Sequence, residues 1–241
     1  MTNYKIGIFD SGIGGLTILK EINKIISNEN ILYYADSNNN PYGNKSDEEL
    51  LKITTNIVKY LKNKNCKIIV IACNTATTRC IKNLREKFPE LIFIGTEPAI
   101  KMACDLKYKN TLVLATTATI RSKSIKNLIS KYKNNDQQIY LQACEGLAHA
   151  IETNNEYKID NLLKLYLTNY QDKNIDSIIL GCTHYPYIKE KILKFFPNAK
   201  IFDSSKGVAN ETKKQLLSHN LQSNSKILGK TKIIKSSINR F

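Results

Sequence analysis

The sequence predicts an α/β fold with two similar domains, each a mostly parallel sheet flanked by helices, with an active site in the cleft between them. Short apolar runs alternate with amphipathic stretches along all 241 residues. One helix usually separates two strands, as parallel strands with crossover connections require. Several strands are apolar throughout, which is typical of sheets covered by helices on both faces.

The apolar runs predict eight strands, at 4–9, 31–35, 67–72, 91–94, 110–115, 138–142, 176–180 and 200–202. The amphipathic stretches predict nine helices, at 14–27, 46–63, 75–88, 97–106, 119–132, 145–153, 157–171, 186–195 and 206–219. Local signals support these assignments. In the helix at 46–63, Ser46 and Glu49 form a capping box ahead of one apolar stripe that includes Leu50 and Leu61.

Two segments share a pattern of strand, small residue, cysteine, polar residue and then a turn or helix. They read IIVIACNTATT at 68–78 and IILGCTHYP at 178–186. This weak internal repeat predicts two domains. The first comprises 1–97 and 206–241, and the second, 98–205, is inserted between those two parts.

The net charge of +15 raises the hypothesis of a nucleic-acid-binding protein. The basic residues are almost all lysine, however, whereas base and phosphate recognition favours arginine. The arginines are Arg79, Arg85, Arg121 and Arg240. Much of the excess lies in 206–241, and we interpret it as a solvated basic surface that also attracts small anions. We therefore expect no nucleic-acid partner.

Composition also indicates a compartment. The sequence has no apolar run of about 18 residues, so no membrane partner is expected. Its start, MTNYKIGIFDSGIGG, lacks the pattern of a signal peptide, which predicts a cytoplasmic protein. Six scattered cysteines without a CxxC pair are expected to be thiols, and with three histidines in the chain no metal site is expected.

Polar side chains follow three predicted strands. They are Asp10 and Ser11; Cys73, Asn74 and Thr75; and Cys182, Thr183 and His184. Ligands of open parallel sheets bind at the carboxyl ends of strands, so we expect these clusters to meet in one cleft. Residues 10–15, DSGIGG, suit a carboxylate better than a nucleotide because they lack both phosphate-loop spacings.

A structural role is the alternative for each of these residues. The polar side chains would then cap helices, and each cysteine would be a small buried hydrophobe. We favour that role for four of the six cysteines, Cys66, Cys80, Cys104 and Cys144. For Cys73 and Cys182, which stand among hydrogen-bonding groups, pattern alone leaves both roles open.

Two cysteines in quasi-equivalent places suit the inversion of a carbon centre. One base removes a proton from one face while an acid delivers a proton to the other, and the two groups exchange roles when the reaction reverses. Thiols meet this need, because a pKa of about 8.5 makes both protonation states accessible. Asp10 is the candidate proton partner on the Cys73 side, and His184 on the Cys182 side.

Five motifs extend this pattern over nearly the whole chain. They are FDSGIGG at 9–15, Asp36 with PYG at 41–43, ACNTAT at 72–77, TTAT at 116–119 and GCTHYP at 181–186. With them the chain closely resembles the glutamate racemases, cofactor-independent enzymes of the aspartate/glutamate racemase superfamily. The segment before PYG reads ADSNNN and lacks the basic residue usual in that family.

The resemblance implies that Cys73 and Cys182 are the two acid/base thiols, assisted by Asp10 and His184. It implies substrate contacts from Asp10, Ser11, Tyr42, Gly43, Asn74, Thr75, Thr116, Thr119, Thr183 and His184. The family's supporting glutamate corresponds to Glu152 at the end of CEGLAHAIE, where both usual prolines are missing and His149 takes the place of one.

The resemblance further implies that L- and D-glutamate are the substrates, that no cofactor is needed, that the chain forms a homodimer, and that D-glutamate feeds peptidoglycan synthesis. Three alternatives stay open. The first is an aspartate or broad-specificity racemase with the same chemistry. The second is a thiol redox protein that cycles a disulfide between Cys73 and Cys182. The third, supported by charge alone, is a nucleic-acid-binding protein.

Overall fold

A computed structural model of the protein describes residues 5–236. It divides into two compact units, Met1–Thr96 with Ser205–Phe241, and Glu97–Ser204. Some sequence features lie outside the described residues: the first residue of the strand predicted at 4–9, the end of the basic segment 206–241, and Arg240.

In chain order the strands are β1 (Lys5–Asp10), β2 (Asn30–Ala35), β3 (Cys66–Ile71), β4 (Ile92–Gly95), β5 (Asn110–Ala115), β6 (Gln138–Ala143), β7 (Ser177–Gly181), β8 (Lys200–Phe202) and β9 (Thr231–Lys235). The α-helices are α1 (Leu16–Ile25), α2 (Asp47–Asn63), α3 (Asn74–Lys87), α4 (Ile100–Asp105), α5 (Thr117–Arg121), α6 (Lys123–Tyr132), α7 (Leu147–Glu152), α8 (Glu156–Leu167), α9 (Lys189–Leu193) and α10 (Ser205–Ser218). Short 3-10 helices occupy Ser37–Asn39, Tyr42–Asn44, Thr168–Tyr170 and Tyr185–Ile188.

The sheet of the first unit has the strand order β4-β3-β1-β2-β9. The sheet of the second unit has the order β6-β5-β7-β8. Within the described residues every strand pairing is parallel. The predicted α/β class, with two parallel sheets flanked by helices, is therefore confirmed.

Helices cover both faces of each sheet because successive side chains of a strand point to opposite faces. In β1, Ile6 and Ile8 pack on one face with residues of α1 and α10, whereas Phe9 packs on the other with residues of α2 and α3. In β5, Leu112 packs with α7 and α8, and Val113 packs with α4 and α6. Each such fully buried side chain contributes about 1.5–3 kcal/mol.

Three predicted helices differ from the structure. The helix predicted at 157–171 ends at Leu167 and is followed by the 3-10 helix Thr168–Tyr170. The helix predicted at 119–132 is two helices, α5 and α6. They are separated by Ser122, which adopts an extended conformation and accepts a hydrogen bond from the Ile125 backbone N–H. The helix predicted at 186–195 begins as a 3-10 turn, Tyr185–Ile188, and only then becomes α9.

Strand β9 was missed, because its sequence, TKIIK, stands in the lysine-rich segment that we interpreted as a solvated surface. It pairs with β2 from Ile31–Thr231 to Ala35–Lys235. Among residues 5–236, no helix combines the length and the apolar character that crossing a membrane requires.

Candidate active site

Cys73 lies at the point of the first sheet where the order in which strands are added changes from one side of β1 to the other. From β1 the chain proceeds to β2 on one side and later to β3 on the other, so the carboxyl ends of β1 and β3 form the topological switch point at which open α/β sheets bind ligands. Asp10 is the last residue of β1. Cys73 follows β3 as the N-cap of α3. The strands stay paired up to this point, because the Ala72 N–H donates to the Phe9 carbonyl at 2.9 Å.

Asp10 holds the glycine-rich turn that follows it. Its Oδ2 accepts a hydrogen bond from the Gly15 N–H at 2.8 Å, entirely out of contact with solvent. A side chain at Gly15 would not fit, since an added Cβ would stand 2.8 Å from both the Ala72 Cβ and the Tyr33 hydroxyl. The Gly15 N–H thus serves Asp10 itself.

Tyr42 is anchored by a carboxylate that was not among our predicted site residues. The buried Asp36 accepts a hydrogen bond from the Tyr42 hydroxyl at 2.8 Å, and from the Asn39 side-chain amide at 2.9 and 3.0 Å. Asp36 could have been found, because it directly follows β2, at the same edge of the sheet as Asp10.

The charges around the Tyr42 hydroxyl identify its neighbours. Burial first, then the Asp36 carboxylate, and then Cys73 and Asp10 raise the pKa of Tyr42 well above its ordinary value. Cys73 and Asp10 therefore both lie within electrostatic range of the Tyr42 hydroxyl. The structure therefore brings these three predicted residues together around Asp36.

The other predicted residues of the first unit differ in exposure. Ser11 is buried, and its carbonyl and hydroxyl oxygens lie 3.3 and 3.4 Å from the Asn40 amide nitrogen. Asn74 and Thr75 are buried in the first turn of α3, where the Asn74 amide donates to the Thr96 carbonyl at 3.3 Å. Gly43 is exposed and has open space on its Cβ side.

The second cysteine occupies the corresponding switch point of the second sheet. From β5 the chain proceeds to β6 on one side and later to β7 on the other. Thr116 follows β5, and Cys182 follows β7, whose last residue Gly181 pairs with Ala115. An added Cβ at Gly181 would stand 2.9 Å from the Ala115 Cβ, so glycine permits this close approach.

Cys182 belongs to a row of three titratable side chains. Its Sγ lies 3.8 Å from His184 Nδ1, and His184 Nε2 lies 2.7 Å from Glu152 Oε2. The side chains of His184 and Glu152 are only 2% and 11% exposed. With the Nε2 proton donated to Glu152, the Nδ1 lone pair faces the thiol and can accept its proton.

Threonines surround the same strand ends. Thr116 caps α5, because its Oγ1 accepts from the Thr119 N–H at 3.3 Å, and the two hydroxyl oxygens are 3.1 Å apart. Thr119 and Thr183 are buried. Thr116 and Thr119 thus support one another, and Thr183 lies between Cys182 and His184 in the chain.

The remaining four cysteines lie in apolar cores. Burial raises the pKa of Cys66 to about 12 and that of Cys80 and Cys104 above the ordinary value. Burial, followed by the nearby Cys182 charge, raises the pKa of Cys144 to about 12. These thiols stay protonated near neutral pH, as expected of structural cysteines.

Residues 5–236 contain no group of three or more His, Cys, Asp or Glu side chains arranged to hold a metal ion. The thiol, imidazole and carboxylate groups at these strand ends are of the types that transfer protons. The cysteine–histidine–glutamate row in particular can move a proton between sulfur and imidazole and stabilise the resulting imidazolium.

Comparison with known proteins relates these residues to a family. The model of the family described as "Asp/Glu/Hydantoin racemase" matches residues 6–212. A glutamate racemase of Clostridium kluyveri is 40% identical over 237 residues, covering 96% of this chain and 91% of that protein. One from Clostridium perfringens is 40% identical over 240 residues, covering 98% and 92%. The crystal structure of the Francisella tularensis glutamate racemase in complex with D-glutamate aligns with a TM-score of 0.83 at 33% identity, covering 99% of this chain and 90% of that one.

Proposed function

Because the chain belongs to the Asp/Glu/hydantoin racemase family, we propose that it interconverts L- and D-glutamate by proton transfer at Cα, without a cofactor. One observation carries the proposal. Cys73 and Cys182 follow equivalent strands, β3 and β7, at the switch points of two sheets that share the order of four strands, β4-β3-β1-β2 and β8-β7-β5-β6. Each unit thus contributes one thiol of the same chemical type, as a reaction that runs equally in both directions requires.

The proposed reaction has two proton transfers. A thiolate forms an S–H bond with the α-proton, and the electron pair of the broken C–H bond stays on the carbanion and its carboxylate. The second thiol then gives its proton to the opposite face of the carbon and becomes the thiolate. No net proton is consumed, and the enzyme is left ready for the reverse direction.

His184 and Glu152 are the proposed proton partners of Cys182. When Cys182 must act as base, imidazole accepts its proton across the 3.8 Å Sγ–Nδ1 separation. The imidazolium that forms is stabilised by Glu152 at 2.7 Å. Glu152 therefore supports the thiol through His184, where the sequence suggested only that it supports the second cysteine.

Asp10 is the proposed partner of Cys73, and it is held differently. One of its oxygens is fixed by the Gly15 N–H, so the carboxylate keeps a single orientation. Tyr42 lies within the electrostatic influence of both Asp10 and Cys73, and its pKa is raised well above the ordinary value, mainly by burial. Tyr42 therefore remains a neutral hydroxyl near the thiol and adds no charge to the site.

The proposed substrate contacts come from polar groups at the same strand ends. In the first unit they are Asp10, Ser11, Tyr42, Gly43, Asn74 and Thr75, and in the second Thr116, Thr119, Thr183 and His184. Hydroxyl and amide donors suit the two carboxylates of glutamate. Hydrogen bonds to the α-carboxylate stabilise the carbanion, because its negative charge extends onto those oxygens.

The proposal includes the biological setting. We propose that the two units are the two functional domains, that the chain acts in the cytoplasm as a homodimer, and that its D-glutamate serves peptidoglycan synthesis. The support is the resemblance to glutamate racemases over 96% of the chain. Light scattering on the purified protein measures the oligomeric state, and a monomer at micromolar concentration would refute the dimer.

The direct test is circular dichroism of L- and of D-glutamate incubated with the purified protein and no added cofactor. Both signals should decay to zero. In deuterated water, each turnover should also place deuterium at Cα, because the thiol that reprotonates the carbanion exchanges with solvent. A protein that leaves both enantiomers unchanged and unlabelled would exclude the proposed reaction.

Parallel assays separate the alternatives. Faster racemisation of aspartate than of glutamate would assign the aspartate or broad-specificity activity. Oxidation to a Cys73–Cys182 disulfide without any racemisation would assign the redox function. Tight binding of nucleic acid at physiological salt, with an affinity that falls steeply as the salt concentration rises, would identify a nucleic-acid-binding protein.

A further inference from the structure

We infer that Arg79 is a positioning residue for the proposed racemisation. It holds the turn of residues 42–45 against α3, the helix that begins directly after Cys73. The inference rests on the proposed function, which assigns Tyr42 and Gly43 to the substrate. It concerns a side chain outside every motif of the site, in the second turn of α3.

The Arg79 guanidinium bonds to both ends of this turn. Nη2 donates to the Lys45 carbonyl at 2.7 Å, and Nη1 donates to the Tyr42 carbonyl at 3.4 Å. The third guanidinium nitrogen, Nε, donates to the carboxylate of Asp47 at the start of α2. The Arg79 side chain is 14% exposed, whereas that of Asp47 is 84% exposed. The two carbonyl bonds are therefore the sheltered part of the arrangement.

Only arginine can make these contacts together. Its planar group presents donors on three nitrogens in a fixed geometry, and the positive charge strengthens each bond. A lysine ammonium at the same position is a single point and cannot reach both carbonyls and the carboxylate at once. A substitution to lysine thus preserves the charge while it removes the clamp.

The turn has a second anchor on its other side. The Tyr42 hydroxyl donates to Asp36 at 2.8 Å, so the Tyr42 side chain and its backbone carbonyl are held from two directions. Gly43 stands between the two clamped carbonyls with open space around its Cβ position. Without Arg79 the hydroxyl anchor and the Lys45 N–H to Tyr42 carbonyl bond remain, but both carbonyls lose the donors that tie the turn to α3.

This geometry predicts which kinetic constant responds. A turn that is already ordered costs little conformational entropy when substrate binds, whereas an unclamped turn must be ordered at that moment. The Arg79 hydrogen bonds go to the turn and to Asp47, so the groups that transfer protons in the proposed reaction are retained when Arg79 is replaced. Loss of the clamp should therefore raise KM much more than it lowers kcat.

The test is Arg79→Lys, assayed in both directions. We expect KM to rise about tenfold, the equivalent of one lost charge-assisted hydrogen bond, with kcat changed less than about twofold. Arg85→Lys is the matched control, because Arg85 lies on the same helix and donates to the Phe93 carbonyl at 3.0 Å, away from the turn. Asp47→Asn removes the exposed ion pair and leaves both carbonyl bonds. Neither control should change KM.

A purely structural role for Arg79 gives a different result. It would lower the melting temperature and kcat, the latter through a smaller active fraction, and would leave KM unchanged. That outcome, or a KM increase of equal size in Arg85→Lys, would overturn the inference. Restoration of the KM of Arg79→Ala by added ethylguanidinium, without such an effect on Arg85→Ala, would support it.

A second readout does not depend on activity. Hydrogen–deuterium exchange followed by mass spectrometry should show faster exchange across residues 42–47 in Arg79→Lys than in the parent or in Arg85→Lys. If the parent racemises nothing, the proposed function fails while exchange still tests the clamp. If the parent is active and exchange at 42–47 is unaltered, the clamp fails on its own.

Discussion

His184 Nε2 lies 2.7 Å from Glu152 Oε2, while its other ring nitrogen faces the Cys182 sulfur at 3.8 Å. The imidazole is therefore held by a carboxylate at one ring nitrogen and faces a thiol with the other. In the proposed mechanism Glu152 acts through this pairing, because a negative charge beside Nε2 favours the protonated ring that forms when Cys182 gives up its proton.

Replacing Glu152 by glutamine should slow racemisation. The amide keeps the size and a hydrogen-bond acceptor but loses the charge, so we expect kcat/KM to fall about tenfold to hundredfold, corresponding to about 1.5–3 kcal/mol. Glu156→Gln is the control, since Glu156 is an exposed partner of Lys191 at 2.8 Å. Parental activity in Glu152→Gln, measured by circular dichroism, would remove Glu152 from the mechanism.

The two proposed thiols should respond to substitution with opposite stereochemical preference. A single remaining thiol can take the α-proton only from the enantiomer that presents it to that sulfur. Cys73→Ala and Cys182→Ala should each lower racemisation by at least about 10²–10⁴-fold. In deuterated water, residual exchange at Cα should favour one enantiomer in the first variant and the other enantiomer in the second, as measured by mass spectrometry.

Cys104→Ala is the matched control for those variants, because Cys104 is a buried core thiol. It should keep the parental rate and show no preference between enantiomers. If Cys73→Ala and Cys182→Ala instead favoured the same enantiomer, the assignment of one thiol to each face of the carbon would be wrong.

The buried core thiols should make the fold sensitive to alkali. Cys66 and Cys144 have pKa values raised to about 12, against an ordinary value of 9.0. Their contribution to stability is complete below the unfolded-state pKa and is lost as pH rises from about 9 towards 12, because only the unfolded chain releases the protons there. Each thiol should lower the free energy of unfolding by about 1.4 kcal/mol per pH unit in that window.

Urea unfolding at several pH values measures this slope. Cys66→Ala should show a shallower decline than the parent above pH 9, by the share of one thiol, whatever its stability at neutral pH. The same decline in both proteins would show that Cys66 ionises equally well in the folded and unfolded states.

Gly181 should be one of the glycines at which an added methyl group is poorly tolerated. In Gly181→Ala the new Cβ would stand 2.9 Å from the Ala115 Cβ and 3.1 Å from the Leu114 carbonyl oxygen. We expect a loss of about 1–3 kcal/mol, together with lower activity, because β7 leads directly to Cys182. Gly207→Ala in α10, where the Cβ position is open, should gain about 0.5–1 kcal/mol in the same urea titration.

The sequence predicted the sheets well because most strands are short apolar runs, and apolar runs are the strongest signal that a sequence carries. Prediction from the sequence failed where a single residue determines whether a helix continues. Ser122 divides one amphipathic stretch into α5 and α6 by capping the second helix, and the apolar pattern continues unchanged across it. Strand β9 has two apolar residues among lysines and forms because β2 offers an edge.

Side-chain partners were harder to predict than strand ends. Cys73, Cys182 and Asp10 could be found because each stands at the carboxyl end of an apolar run. The contact between Glu152 and His184 could not be predicted, since the two residues lie 32 positions apart in the chain. Arg79 left no signal, because two of its acceptors are backbone carbonyls, which are the same at every position.

The position of α10 in the chain has a consequence for biosynthesis. Val208 and Leu216 complete the core that contains Ile18 and Ile22, yet they follow the entire second unit. At a translation rate of about 5–20 residues per second, the ribosome completes Glu97–Ser204 before it makes α10. The second unit can therefore close while the first still exposes apolar surface, so nascent-chain chaperones have most reason to bind the segment that was made earliest.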